Sequence, residues 1–460
     1  MSSCHRSLRN LVLLSVFWLC GFDLSQCSFS DSSDGNSSSG GTSGLRVRVQ
    51  FEQKISENKG NFNGDLNNGD QFGSALAAPG DLESDGVRDL AVGAPYTDDG
   101  GEDRGGIWIL FMDDNGRVDQ EQKISADSGG FDGDLDNGDL FGSALAGIGD
   151  LNGDGALDLV AGAPNDDTGG SERGAAWVLF LNDQGRVRDQ QKIAKDSGGF
   201  DGNLDDGDRF GSAVAEIGDV DGDGISDIAV GAPADAGNGT GPGEVWILFL
   251  NAEGRVRVQQ RITKGAGGFD GNLDDGARFC AAVAGVGDLN GDGRPDLAIG
   301  APADAGIGTG RGEVWIVFLD AGGRVLDQQR ITDGAGGFDG DLDNGDQFGS
   351  ALAGIASFGG RRSTGLAVGA PGDDDGGENS GAVWVLFPGV DGRADTWQKL
   401  SPDAGGFDGD LDDGDHFGAA VTGIGDLDRN GAVDLAVGAP GDDDGGNDKG
   451  AIWVLFMRDD

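Results

Sequence analysis

Histidine, tyrosine and methionine are nearly missing from this 460-residue chain, with two, one and three copies. Nucleophilic catalysis of the Ser-His-Asp kind would have to use His416, because His5 falls in an amino-terminal apolar stretch. Cations are also scarce. Thirty-two Lys and Arg against 81 Asp and Glu leave a formal charge of −49, a surface that repels phosphate backbones and anionic lipid and so argues against a nucleic-acid partner. Cysteine is too sparse to staple the fold: Cys4, Cys20 and Cys27 crowd one end and Cys280 stands alone. Long apolar runs are absent after residue 27, so no later segment is long enough to span a bilayer as a helix.

Arg6 and Arg9, the apolar run from Leu11 to Phe22 and Ser25-Gln26-Cys27 have the form of a secretory signal, expected over residues 1–27. Its cleavage leaves a secreted, extracellular or cell-surface protein without a membrane span. Residues 28–44 are rich in Ser and Gly with no apolar period, which reads as a flexible leader. Asn36-Ser37-Ser38 and Asn238-Gly239-Thr240 are glycosylation sequons.

What the chain has in abundance is one unit. Asp150 to Pro164, DLNGDGALDLVAGAP, places oxygen side chains at Asp150, Asn152, Asp154 and Asp158 with Gly155 at the sixth position, the ligand order of a calcium loop. No twelfth-position Glu or flanking helix follows; the loop runs straight into a short apolar strand. Gly-Ala-Pro recurs at Gly93, Gly162, Gly231, Gly300, Gly369 and Gly438, and Phe72 and Trp108 recur with the same 69-residue step.

Six repeats fill residues 45–460, and each reads as four strands, in the second repeat Phe141–Gly149, Leu157–Gly162, Ala175–Leu181 and Arg186–Ile193. Short apolar sheets at this period must stack on their neighbours, as in a propeller; a flat solenoid is the alternative. The ends decide for the propeller. Arg46–Ser56 matches a fourth strand, while the last repeat stops after its third, so the expectation is an all-β, closed six-bladed β-propeller of four-stranded blades, with the N-terminal strand completing the last.

Phe-Gly, the calcium loop and Gly-Ala-Pro, in that order, resemble the FG-GAP repeats of the integrin alpha-subunit β-propeller. That resemblance implies Ca2+ at about five sites between the first and second strands of a blade, with partners recognised on the opposite face. Carried over by position, the ligands are Asp81, Glu83, Asp85 and Asp89 with the Val87 carbonyl; Asp150, Asn152, Asp154 and Asp158 with Ala156; Asp219, Asp221, Asp223 and Asp227 with Ile225; Asp288, Asn290, Asp292 and Asp296 with Arg294; and Asp426, Asp428, Asn430 and Asp434 with Ala432. The fifth repeat has Ser357, Gly359, Arg361 and Gly365 at these positions and Arg362 at the sixth, so no calcium is expected there.

The repeated Phe and Trp read as packing between blades. His416 occupies a position held by Leu, Gln or Arg in the other repeats, and its placement looks incidental. A second acidic loop precedes each Phe, for example Asp132, Asp134, Asp136 and Asp139, or Asp408, Asp410, Asp412 and Asp415; it lacks the sixth-position Gly, and both a solvated turn and a metal site remain open. Antiparallel connectivity puts these loops on the same face as the second-to-third-strand loops such as 373–381. Long loops on a rigid scaffold are where recognition usually sits. The expected function is a secreted or cell-surface calcium-binding module that recognises an extracellular protein or matrix component, in the manner of adhesion proteins, without catalysis. The alternative is a multivalent carbohydrate-binding propeller, and a polysaccharide-degrading enzyme comes third.

Overall fold

A computed structural model of the chain describes residues 47–233, 241–274, 276–303, 309–355 and 364–459. The signal and leader, both sequons, and Ser357, Gly359, Arg361 and Arg362 of the fifth loop lie outside the described residues. The strands form six antiparallel four-stranded sheets, arranged as the blades of a closed β-propeller. The second blade consists of Ala144–Gly149, Asp158–Ala163, Ala175–Leu181 and Val187–Ala194, from the ring axis outward.

Side-chain size follows the taper of a blade. The inner strand Ala-Leu-Ala-Gly-Ile-Gly is small because adjacent inner strands crowd together; a Cβ on Gly147 would lie 2.6 Å from the Pro79 Cα of the first blade. The third strand, Ala-Ala-Trp-Val-Leu-Phe-Leu, is buried along its whole length, as a strand covered on both faces should be. The core therefore lies in the seams between blades: Ile107 and Ile109 of the first blade pack with Phe141, Leu159 and Trp177 of the second. Phe131 stacks on Phe141 at 4.9 Å and meets Trp177 edge-on at 5.1 Å, which places the repeated aromatics in the core as expected.

The inner strand begins at Ala144 rather than Phe141. Gly142 has φ +89°, a left-handed turn that ends the extended run, and Phe141 instead bridges Gly105 of the preceding blade. The Gly of Gly-Ala-Pro receives the next blade's turn: a Cβ on Gly162 would fall 1.9 Å from the Gly211 carbonyl oxygen. The ring closes as its ends predict. Val47–Ile55 pairs with Ala451–Asp459, and Lys54 opposite Trp453 repeats the register of Lys192 opposite Trp177.

Candidate functional site

Each acidic loop is held by its own side chains. In the second blade the Asp154 N–H donates to Asp150 Oδ1 and Asn152 Oδ1, Gly155 N–H to Asp150 Oδ2, and Ala156 N–H to Asp154 Oδ1. Gly155 has φ +92°, the left-handed step that lets the loop turn back on its own acidic side chains. The same bonds recur around Asp81 and Asp85, around Asp219 and Asp223, around Asp288 and Asp292, and around Asp426 and Asn430. These turns gather the side chains that the sequence pattern singled out.

The ninth-position Asp ties the loop to the rest of its blade. Asp158 is fully buried; its Oδ2 accepts the Leu151 N–H at 3.0 Å and its Oδ1 the Leu181 N–H at 3.2 Å, tying the loop to the end of the third strand. Asp89 reaches Leu82 and Met112, Asp227 reaches Val220 and Leu250, Asp296 reaches Leu289 and Leu319, and Asp434 reaches Leu427 and Met457. Burial, with the neighbouring loop acids adding to it, pushes the carboxyls of Asp89, Asp227 and Asp434 up to about 7 and those of Asp158 and Asp296 up to about 6. A buried carboxylate among other carboxylates is relieved by a proton or by a bound cation. In the third and sixth blades the carboxylate oxygens of Asp219, Asp221 and Asp227, and of Asp426, Asp428 and Asp434, lie within 4.8 Å of one another. An oxygen-only, acid-rich donor set of this spacing fits a hard divalent ion of the calcium type.

The fifth blade lacks this arrangement. Gly365 takes the ninth position, and the third strand ends in Pro388, which has no N–H to donate. Ile355 faces Gly365 directly, whereas the register slips between Gly147 and Gly149 in the second blade. The structure thus links an acid in the loop to an amide 23 residues later, a link that the sequence reading missed although Pro388 was there to signal it.

On the opposite face the second acidic loops form turns. The innermost Asp is buried and accepts the N–H three residues back: Asp139 from Asp136, Asp346 from Asp343, Asp415 from Asp412. Asp132 accepts from the Gln190 amide, and Asp201 and Asp270 from Gln259 and Gln328 in the next two blades. These turns zip onto the second-to-third-strand loop of the preceding blade through Gly138 to Glu102 and Phe141 to Arg104, both at 3.0 Å. His416 makes a 3.2 Å contact from Nδ1 to the Pro371 carbonyl, and it shares the left-handed backbone of Gln71, Leu140, Arg209, Arg278 and Gln347 at the same repeat position.

An unexpected division runs through the Trp sites. In four blades a Lys lies over the ring, as Lys192 does over Trp177 at 5.2 Å, and pairs with loop acids such as Asp166. In the third and fourth blades buried Glu244 and Glu313 accept the indole N–H of Trp246 and Trp315 at 2.7 and 2.6 Å, and the cation is Arg261 or Arg330. Glu and Arg change together across the repeats, a signal readable in the sequence.

The FG-GAP repeat family model matches residues 72–110, 141–179, 210–248 and 281–317. Integrin alpha-3 of Mus musculus is 30% identical over 234 residues, which are 51% of this chain and 19% of the relative. Integrin alpha-7 of Rattus norvegicus is 30% identical over 275 residues, 59% of this chain and 22% of its own length. Phosphatidylinositol-glycan-specific phospholipase D of Bos taurus is 36% identical over 167 residues, 36% of this chain and 19% of its own length. The chain therefore spans a minor part of each relative it matches. With six blades built on these motifs, the chain is an FG-GAP repeat protein folded as an integrin-alpha-like β-propeller.

Proposed function

We propose that this propeller is a calcium-stabilised recognition module, secreted by way of residues 1–27, that binds an extracellular protein or matrix partner without catalysing a reaction on it. The observation that carries the calcium reading is the fully buried ninth-position Asp in each of five loops, surrounded by further loop oxygens. Calcium there would neutralise carboxylates that otherwise repel one another, fixing the first-to-second-strand turn of each blade. The opposite face, built from loops of two kinds hydrogen-bonded across the seams, is the broad surface offered to a partner. The integrin relatives favour a protein partner over a glycan. Overlap with the phospholipase D relative is confined to 167 residues in the repeat region and names no catalytic residue in this chain.

Extracellular modules bind calcium at about 10⁻⁴ to 10⁻³ M, so at roughly 1 mM calcium the tighter end of that range gives about 1.4 kcal/mol per site. Five sites then contribute on the order of 7 kcal/mol, comparable to the stability of an ordinary domain. Calorimetric titration should find about five bound ions. Chelator should lower the melting temperature and abolish capture of the partner from extracellular fluid. Absence of bound calcium, or a melting temperature that chelator leaves unmoved at low salt, would overturn the reading.

A further inference from the structure

The outer strand of every blade starts with a slip in register. Leu181 faces Val187 and Phe180 faces Asp189, so Arg188 is left over as a bulge residue. The same slip leaves Asp119, Arg257, Leu326, Asp395 and Gln50 in the other five blades. A bulge turns its side chain out of the ladder, and bulges are often used to aim a residue at a neighbouring site.

Here the neighbouring site is the acidic loop of the same blade. Arg257 Nη2 lies 3.0 Å from Asp221 Oδ2 and also pairs with Asp223, while its Nε donates to the Leu250 carbonyl at 2.8 Å. Arg188 Nη1 is 3.6 Å from Asp154 Oδ2. In the first blade the charge at this position is reversed, since Asp119 holds the bulge register that Arg257 holds in the third. Leu326 and Gln50 bring no charge to the fourth and sixth loops.

We propose that the bulge residue of the outer strand sets the calcium affinity of its blade, so that the loops fill in order: the first blade before the fourth and sixth, and the second and third last. The proposal rests on the calcium reading above and adds a ranking that loop composition does not contain. The first and third loops each carry four carboxylates, Asp81, Glu83, Asp85 and Asp89 against Asp219, Asp221, Asp223 and Asp227, and by composition they are equal. Asp119 at one bulge and Arg257 at the other separate them by two units of charge. Even with water-like screening, one unit of charge about 5 Å from a divalent ion is worth about tenfold in affinity. Graded filling would let the ring stiffen blade by blade as calcium rises, rather than in one step.

The test is site-resolved hydrogen exchange by mass spectrometry on the full chain, following peptides that cover 81–89 and 219–227 across a calcium titration. In the wild type, 81–89 should gain protection at the lower calcium concentration. Arg257→Gln should move the 219–227 midpoint about tenfold lower without moving 81–89. Arg257→Lys, which keeps the charge, should leave the midpoint high, and Asp119→Asn should move the 81–89 midpoint up. A 219–227 midpoint that Arg257→Gln leaves unchanged, or moves to higher calcium, overturns the grading. Calorimetry on the same samples separates the two failures: normal calcium heats with unmoved midpoints reject the grading alone, whereas no heat rejects the calcium reading beneath it.

Discussion

The second and fifth blades share their strands, their aromatic seam and their place in the ring, yet one carries a complete acidic loop and the other does not. In the second, Asp158 joins three pieces: the loop through Leu151, the third strand through Leu181, and the slipped register at Gly149. In the fifth, Gly365, Pro388 and an unslipped Ile355–Gly365 pair replace all three. At the end of the third strand the acceptor and the donor have gone together, so among the described residues no N–H there is stranded by the change. The acidic loop is therefore a brace built into the blade rather than an ornament on its surface. A blade can dispense with it only by changing at two points 23 residues apart.

Removing only the acceptor from a braced blade is the most damaging way to break this comparison. Asp227→Ala strands the Val220 and Leu250 amides, both buried in the third blade. The expected loss, by urea unfolding in chelator, is about 2 kcal/mol, with a larger loss in calcium because a ligand has gone as well. Equal stability with and without the carboxylate in chelator would show that the brace is the metal alone.

Rebuilding the brace in the fifth blade sharpens the comparison with a smaller effect. Gly365→Asp alone buries a carboxylate opposite a residue with no N–H, and Pro388→Leu alone creates an amide with no acceptor. The double variant supplies both, and a double-mutant cycle should show favourable coupling of about 1 kcal/mol. Additive losses would mean that the two changes are unrelated.

The ring itself was legible because periodicity survives translation into structure: a 69-residue step in Phe, Gly-Ala-Pro and Trp forces equivalent sheets, and Arg46–Ser56 shows which blade lacks a strand. The acidic loops were legible because a loop whose chemistry is local writes it in consecutive residues. Long-range dependencies were harder to read. The tie from Asp158 to Leu181 uses a backbone amide, which any residue but Pro supplies, so only the exception at Pro388 leaves a mark. The bulge residues also escaped, because a slip of register is invisible in a string and Arg188 and Arg257 look like ordinary surface charges until the fold turns them toward the loops.

One further position sets a single blade against its siblings, and it should show the smallest effect. Where five blades have Gly after the repeated Phe, at φ between +89° and +95°, the fourth has Cys280 at φ +70°. Cys280 is fully buried and its Sγ lies 2.8 Å from the Glu244 carbonyl. Elsewhere this position has no room: a Cβ on Gly211 would fall 2.1 Å from the Ala175 carbonyl oxygen. Cys280→Gly relieves about 1 kcal/mol of left-handed strain, but gives up a small buried side chain and adds backbone entropy to the unfolded chain, terms of about the same size and opposite sign. The net change in urea unfolding should stay below about 1 kcal/mol, whereas Gly211→Cys should cost more than about 2 kcal/mol because backbone must move. If Cys280→Gly cost as much as Gly211→Cys, the fourth blade would owe its packing to the thiol, and the opposing terms would not cancel.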